Sequence, residues 1–265
     1  MLRDRNERTH ICAQSKANNG EFLLSIFTCD NKDEFIFDMF GKTKSYFVDV
    51  GASDGIYGSN TYSLEKRGWV GLCVEGHPDL VQELKKNRSC KIESSLAGRT
   101  KEKVGFAIQT QEAHIKGFVG NNKYGGFSHA WRGGSGILEN WNEKRVKESV
   151  DKSKIIEMET KTLTEILDKH GSPSYIELLD IDTEGNDYNV LEGVDWNKYR
   201  FASILIEGNE EKIKQKLESL DYVMIQGFSE EYLYIDSKKE GLVENAKNIQ
   251  DIGYWSQRIF GETCV

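Results

Sequence analysis

The residues most able to do chemistry follow a short apolar strand pattern near the start of the chain. Tyr46–Val50 is apolar apart from Asp49 and runs directly into Gly51 and Ala52, and a second apolar segment ends at Glu75. In α/β proteins, glycine after a strand lets the backbone approach a nucleoside ligand. An acid at the end of the next strand accepts hydrogen bonds from the ribose. The pattern therefore predicts a nucleoside cofactor site, although an ordinary tight turn with surface acids would also fit the first segment.

The spacing of the glycines distinguishes two cofactors. A dinucleotide such as NAD is bound by G-x-G-x-x-G, which brings the backbone close to the pyrophosphate. Here Gly51 and Gly55 enclose no middle glycine, and Asp49 and Asp54 flank the turn. Carboxylates repel a pyrophosphate but attract the ammonium and sulfonium groups of S-adenosylmethionine. The prediction therefore favours S-adenosylmethionine.

Short apolar strands alternate with helical patterns from residue 46 to residue 207. We predict strands over 46–51, 69–75, 175–182 and 201–207, with a weaker strand near 90–96. Helices are predicted near 60–67, over 79–87, and after a capping box at Thr162 and Glu165. This order indicates a parallel sheet with helices on both faces, whose strand ends carry Asp49, Glu75, Asp182 and Glu207. A terminal hairpin is predicted from 222–225 and 232–235.

Length and composition indicate one domain with additions. The chain has 265 residues and no Pro-, Gly- or Ser-rich linker. We predict a single domain with an N-terminal helical cover over 1–45, an acceptor-side insert over 110–153 and a tail over 240–265.

The net charge and the spacing of the cysteines argue against several classes of partner and site. A net charge of -8 argues against nucleic acid or an anionic membrane as partner. No apolar run is long enough to span a membrane, and no signal core follows the charged start, so we predict a cytoplasmic protein. The five cysteines are never spaced as C-x-x-C, which argues against a disulfide framework or a zinc site. The sequence does not fix the oligomeric state, and a homo-oligomer is one possible state.

Three segments together resemble the FkbM-type methyltransferases. They are 47–65 with Phe47-Val48-Asp49-Val50-Gly51-Ala52-Ser53-Asp54-Gly55, 68–75 ending at Glu75, and 179–191 with Leu179-Asp180-Ile181-Asp182-Thr183-Glu184-Gly185-Asn186-Asp187. The resemblance implies a Rossmann-like, seven-stranded methyltransferase α/β fold, S-adenosylmethionine as the methyl donor, and O-methylation of sugars or natural-product hydroxyls. Between these segments the insert departs from the family pattern, so the acceptor does not follow from the resemblance.

With that cofactor in place, the residues of the first turn take specific roles. Gly51 and Ala52 would let the backbone approach the methionine moiety, and Asp49 would anchor its ammonium or orient the turn. Ser59 and Asn60, at a predicted helix start, would hold the carboxylate or simply cap the helix, and both interpretations stay open.

Two further residues are predicted to hold the nucleoside half of the cofactor. Glu75 would accept both ribose hydroxyls, which suits a carboxylate. Ser95, at the end of the third strand, would lie beside the adenine.

The chemistry needs an activated acceptor hydroxyl, and the sequence offers two means. One is a general base, for which Asp182 is the leading candidate and His129, in the glycine- and aromatic-rich insert, is another. The other is Mg²⁺ or Mn²⁺ held by Asp182, Glu207 and Asn209. The predicted acceptor is a small molecule or a nucleotide-linked sugar.

Two other classes fit parts of the sequence. A binding module for S-adenosylmethionine would need Asp49, Gly51 and Glu75 but no acids at later strand ends. A nicotinamide-dependent sugar dehydrogenase would need the middle glycine and usually a Tyr-x-x-x-Lys pair, whereas Tyr188 is followed four positions later by Glu192.

Overall fold

The computed structural model describes residues 32–41, 44–56, 58–108, 134–141, 146, 154–208, 210–228 and 230–251. Two sheets and the helices that cover them account for most of these residues. No helix in these ranges is long and apolar enough to cross a membrane.

The larger sheet has seven strands in the order β10-β11-β9-β8-β1-β2-β3. The five strands β9, β8, β1, β2 and β3 are parallel, and β10 and β11 form the predicted antiparallel hairpin at one edge. Their bounds are β1 Tyr46–Val50, β2 Val70–Glu75, β3 Lys91–Ser94, β8 Tyr175–Ile181, β9 Arg200–Glu207, β10 Tyr222–Phe228 and β11 Glu231–Asp236. The predicted seven-stranded α/β sheet is confirmed, and its element bounds differ from the prediction by a few residues at most.

Side-chain alternation along the central strands divides the core into two layers. In β1, Val48 and Val50 point into one layer and Phe47 into the other. Three helices pack on the Val48 face, namely α4 Leu163–His170, α5 Asp187–Glu192 and α6 Glu211–Ser219. The helices on the opposite face are α1 Lys32–Phe40, α2 Tyr62–Lys66, α3 Pro78–Asn87 and α7 Leu242–Asp251. Both faces of the sheet are therefore covered, as the alternation of elements predicts.

Helix α4 has the predicted start and stop signals. The Thr162 hydroxyl accepts the backbone N–H of Glu165, and the Glu165 carboxylate accepts the backbone N–H of Thr162. Gly171 ends the helix in the left-handed conformation with φ of 60°. These contacts fix the entry of the chain into β8, which carries Asp180 and leads to Asp182.

A second sheet of four strands was not predicted. Its order is β4-β7-β5-β6, with β4 Leu96–Gly98, β5 Lys103–Ala107, β6 Gly136–Ile137 and β7 Ile155–Thr162. A 3₁₀ turn over Leu138–Asn140 follows β6. Because β4 follows β3 directly and β7 leads into α4, this sheet stands beside the carboxyl ends of the parallel strands.

Candidate functional site

The turn after β1 is fixed by a close approach of two strand ends. Gly51 has φ of 94°, and a Cβ atom there would lie 1.7 Å from the backbone oxygen of Asp182. The backbone N–H of Asp182 donates to the oxygen of Val50 at 2.9 Å. Gly51, which was predicted to face the cofactor, lines the cavity. The close approach of Asp182 also requires glycine at this position, whether or not a cofactor is bound.

A single cavity brings the predicted cofactor residues together at the carboxyl ends of the strands. Its lining includes Asp49, Gly51, Ala52, Ser59, Asn60, Glu75, Ser95 and Asp182. They come from β1 and the turn after it, the segment before α2, the end of β2, and the segments that follow β3 and β8. The structure therefore places all seven predicted cofactor residues, and Asp182, around one cavity.

Asp49 is held in the wall of this cavity by buried partners. The Thr61 hydroxyl donates to its carboxylate, and Nη1 of Arg88 lies 3.8 Å from Asp49 Oδ2. Burial raises the pKa of Asp49, and the Arg88 guanidinium and Thr61 oppose that shift. These contacts join Asp49 to Arg88 and to the start of α2, and its two predicted roles, anchoring the ammonium and orienting the turn, stay predictions.

Arg88 was missed by the sequence interpretation. Its fully buried side chain donates to Gly55 O at 3.2 Å, Ser59 Oγ at 3.2 Å and Thr61 Oγ1 at 2.9 Å, and to Glu65 as well. The Arg88 guanidinium thus links the turn after β1 to the start of α2 through hydrogen bonds. A lone arginine after a helix gives no sequence signal for this role.

Ser59 has a structural role in addition to its place in the cavity lining. Its hydroxyl oxygen accepts the backbone N–H groups of Thr61 at 3.3 Å and Tyr62 at 3.1 Å, at the start of α2. These contacts precede the N-cap position of α2, which is Thr61 and has no side-chain cap hydrogen bond, so Ser59 orders the approach to the helix. Cofactor contact by Ser59 stays a prediction.

Asn60 offers an acceptor rather than a donor to a ligand. Its Nδ2 group donates to Asp180 Oδ1 at 3.3 Å and to Glu231 Oε2 at 3.2 Å. Its Oδ1 atom is buried and has no partner among the described residues. A buried acceptor without a donor costs about 1–3 kcal/mol, which a ligand N–H would offset. This arrangement fits an ammonium group better than the carboxylate predicted for Asn60.

Glu75 is buried and aligned by the backbone. The N–H of Ser53 donates to Oε2 at 2.8 Å and the N–H of His77 donates to Oε1 at 2.6 Å. Each oxygen keeps a second lone pair, so the carboxylate can still accept two hydroxyls. Burial raises the pKa of Glu75 to about 7, against the effect of these N–H donors. The geometry fits the predicted ribose contact.

The second sheet closes the cavity on the side of Glu75 and Ser95. Phe106 of β5 and Ile137 of β6 line it, together with Leu80 and Leu96. The Ser95 hydroxyl is buried and has no partner among the described residues, so it is available to a ligand. An apolar wall beside a free hydroxyl fits a heteroaromatic base such as adenine.

Asp182 and Glu207 form a carboxyl pair at the open end of the cavity. Asp182 lines the cavity, and its electrostatic neighbour Glu207, at the end of β9, lines the adjoining groove. Burial and the nearby carboxylates Glu207 and Glu184 raise the pKa of Asp182 well above its usual range. Burial and Glu184 raise the pKa of Glu207 to about 7. Such a pair shares a proton near neutral pH.

A groove continues outward from this carboxyl pair. Glu184 lines both the cavity and the groove, and Glu207 lines the groove. The other groove residues include two tyrosines and three further acids, Tyr188, Tyr232, Asp187, Glu210 and Glu230. The groove therefore gives an acceptor access to the carboxyl pair.

Two predicted site residues, His129 and Asn209, lie outside the described residues. Within the described ranges, no group of three or more His, Cys, Asp and Glu side chains is arranged to hold a metal ion. The predicted Mg²⁺ or Mn²⁺ site therefore rests on Asp182 and Glu207 alone in this part of the chain.

The charge of the cavity distinguishes the two cofactors weighed from the sequence. Its lining carries five carboxyl groups, on Asp49, Glu75, Asp180, Asp182 and Glu184, and includes no lysine or arginine among the described residues. A pyrophosphate in this setting would meet like charges, whereas a sulfonium and an ammonium would meet opposite ones. The cavity lies at the carboxyl ends of the parallel strands, contains a buried carboxylate at Glu75 and is acidic. These three features fit a site for S-adenosylmethionine.

Together, the seven-stranded sheet and the acidic cavity fit the class of S-adenosylmethionine-dependent methyltransferases. A sequence profile described as "Methyltransferase FkbM domain" matches residues 49–234. Because the match covers more than half of the chain, the chain belongs to the FkbM family of S-adenosylmethionine-dependent methyltransferases. A comparison with curated proteins gave no match.

Several solved structures show low similarity to the chain. The METTL16 methyltransferase domain is 12% identical over 77% of this chain, with a TM-score of 0.38. This chain covers 65% of the METTL16 domain, which is slightly less than two thirds of its length. A TehB-like methyltransferase from Corynebacterium glutamicum is 10% identical over 77% of this chain and 85% of its own, with a TM-score of 0.34. Precorrin-6y C5,15-methyltransferase from Geobacter metallireducens is 10% identical over 83% of this chain and 91% of its own, with a TM-score of 0.38. The family assignment rests on the profile match.

Proposed function

We propose that the chain transfers a methyl group from S-adenosylmethionine to a sugar hydroxyl, with the Asp182–Glu207 pair accepting the hydroxyl proton. S-adenosylmethionine supplies the electrophilic methyl carbon when bound. The observation that carries the proposal is the position of the pair, between the cofactor cavity and the acidic groove. An acceptor lying in the groove would present its hydroxyl at this boundary.

The raised pKa values support a base function. A general base works best when its pKa lies near the operating pH. The Glu207 pKa is about 7 and the pKa of the neighbouring Asp182 lies well above its usual range, so the two carboxyls can hold one proton between them. The ionised partner accepts the acceptor's proton while the other carboxyl keeps its own. Two fully ionised carboxylates at this distance would repel each other strongly.

The composition of the groove supports a neutral sugar as acceptor. Tyrosine faces and carboxylates are suited to sugar rings and hydroxyls, respectively. The groove lining is strongly acidic and contains no lysine or arginine among the described residues, so a diphosphate there would be repelled. We therefore favour free sugars or oligosaccharides over the nucleotide-linked sugars predicted from the sequence. The nucleotide-linked alternative depends on the insert, whose Arg132 would supply a cation for phosphate and lies outside the described residues.

A panel of acceptors tests the proposal directly. Methyl transfer from labelled S-adenosylmethionine would be measured with neutral oligosaccharides, amino sugars and nucleotide-linked sugars, and products would be identified by mass spectrometry. We expect O-methylated neutral sugars. Cofactor binding without turnover on any acceptor would favour the non-catalytic binding module. Turnover restricted to nucleotide-linked sugars would contradict the charge argument.

Substitution of the pair tests the base. Asp182→Asn and Glu207→Gln should each lower kcat by about 10²–10⁴-fold, which is the usual contribution of a positioned base. Their Kd for S-adenosylhomocysteine should change much less. The matched control is Glu157→Gln, which makes the same change at an exposed carboxylate of the second sheet, outside the cavity and the groove. A kcat for both pair variants within about threefold of the unsubstituted enzyme would remove the base assignment.

The divalent-cation alternative uses the same two carboxylates. Mg²⁺ or Mn²⁺ bound to Asp182 and Glu207 would lower the pKa of the acceptor hydroxyl in place of a base. Assay after dialysis against chelator separates the two chemistries. Full activity without added metal supports the base, whereas lost activity that Mg²⁺ or Mn²⁺ restores supports the cation.

A further inference from the structure

Two cysteines that are far from any C-x-x-C spacing meet behind the cofactor cavity. Cys73 is completely buried in the middle of β2, and Cys90 is partly exposed in the short loop between α3 and β3. Their sulfur atoms lie 3.1 Å apart, and both thiols are free. The fold, rather than the local sequence, brings them into contact.

We propose that Cys73 and Cys90 are a reversible redox pair, which a peroxide oxidises to an intramolecular disulfide. A disulfide needs the two sulfurs about 2.05 Å apart, so they must approach by about 1 Å. Cys90 lies in a loop, whereas Cys73 is held between two neighbouring strands. The approach therefore requires movement of the loop and not of the sheet.

The difference in exposure sets the order of the steps. The Cys90 sulfur attacks one peroxide oxygen, the O–O bond breaks, and the sulfur becomes a sulfenic acid as the first water leaves. The Cys73 sulfur then attacks the Cys90 sulfur, the S–O bond breaks, and a second water leaves with the Cys73 proton. Two thiols and one peroxide thus give one disulfide and two waters. Burial raises the pKa of Cys73 well above its usual range, which makes its thiol the poorer nucleophile towards peroxide and leaves the first step to Cys90.

The disulfide would form next to the residue that supports the cofactor turn. Arg88 stands two positions before Cys90, and Asp49 is the direct strand partner of Cys73. The Arg88 guanidinium reaches Gly55 and the start of α2 through hydrogen bonds of 2.9–3.2 Å. A loop shift of about 1 Å would stretch these bonds. Oxidation should therefore weaken cofactor binding through the turn, with no direct contact between sulfur and cofactor.

Peptide mapping of the full chain tests the disulfide. Cys12, Cys29 and Cys264 would be replaced by serine so that only the proposed pair remains. Trypsin cleaves after Arg67, Lys85, Arg88 and Lys91, which places Cys73 and Cys90 on the separate peptides 68–85 and 89–91. After brief hydrogen peroxide treatment of the folded protein and alkylation, we expect these two peptides to be linked and dithiothreitol to separate them. Alkylated or overoxidised single peptides, with no linked species, would overturn the proposal.

Binding of S-adenosylhomocysteine tests the coupling. Loss of one hydrogen bond, worth about 0.5–1.5 kcal/mol, corresponds to a roughly twofold to twelvefold higher Kd. We expect this increase on oxidation, reversal by dithiothreitol, and no change in a Cys90→Ser variant treated identically. An unchanged Kd in a sample whose disulfide is complete would overturn the coupling. The peptide map stands whether or not the protein methylates a sugar, so it fails independently of the proposed function.

Discussion

Replacement of Glu75 by glutamine should weaken cofactor binding by a factor that the structure allows us to calculate. The carboxylate already accepts the N–H groups of Ser53 and His77 at 2.8 and 2.6 Å, one on each oxygen. Glutamine has one acceptor oxygen, and its NH₂ group would face one of these two donors. The variant therefore loses at least one charge-assisted hydrogen bond to the ribose, worth about 1.5–3 kcal/mol. Because 1.4 kcal/mol is a factor of ten, Kd should rise by about 10- to 150-fold.

Isothermal titration with S-adenosylmethionine and S-adenosylhomocysteine measures this change. Glu157→Gln is the matched control, since Glu157 is an exposed carboxylate of the second sheet that pairs with Lys103 at 2.7 Å. It should bind both ligands as the unsubstituted protein does. A folded Glu75→Gln protein whose Kd lies within about threefold of the unsubstituted value would refute the ribose assignment.

The same residue gives binding a predictable pH dependence. The Glu75 pKa is about 7 in the ligand-free protein because the carboxyl is buried. Ribose hydroxyls donate to the ionised form, so the ligand lowers this pKa, and affinity should rise with pH up to about 7 and level off above it. Other acids of the cavity also titrate, so the informative quantity is the difference between the two proteins. Equal pH slopes for unsubstituted and Glu75→Gln protein would show that Glu75 is already ionised before binding.

Three further outcomes follow from the site. Gly51→Ala should abolish folding or lower the free energy of unfolding by several kcal/mol, because its Cβ would lie 1.7 Å from a backbone oxygen. Gly58 has φ of 70° and no atom within 4 Å of an added Cβ, so Gly58→Ala should cost only about 1–2 kcal/mol in the same denaturant unfolding assay. Arg88→Met should cost about 3–5 kcal/mol in the same assay by leaving buried carboxylates without their cation. Burial raises the pKa values of Glu75 and Glu207 from 4.5 to about 7. Between these two pH values, the ligand-free native state binds more protons than the unfolded chain. The melting temperature should therefore fall as pH rises from 4.5 to about 7. A melting temperature that rises between pH 5 and pH 7 would contradict these shifts.

The sequence predicted the part of the site that lies at strand ends. Parallel strands carry their carboxyl ends to one edge of a sheet, so recognising the strands before Asp49, Glu75, Asp182 and Glu207 was enough to place the four acids together. The register confirms this for the central strands, where Asp49 is the direct partner of Asp180. Local apolar runs and glycine turns contain this information because each strand is a continuous segment.

The second sheet could not be predicted in the same way. Its strands β5 and β7 come from either side of the insert, and they pair antiparallel through contacts between residues about fifty positions apart. Neither strand has a hairpin turn beside it that would indicate its partner. Phe106 and Ile137 therefore looked like ordinary apolar residues, although both line the cofactor cavity.

The buried charges explain why the cavity needs a cationic ligand. Arg88 lies close to Asp49 but also pairs with Glu65, and Asp180 accepts an amide hydrogen bond from Asn60, with Lys32 as the nearby cation that partly opposes its pKa shift. Burial raises the pKa of Asp180 well above its usual range, and the negative charge of Asp49 adds to that shift. In the ligand-free protein, protons must therefore replace the cations that these acids lack. A sulfonium and an ammonium would supply those charges, so Asp49 and Asp180 would favour a cationic ligand over an anionic one.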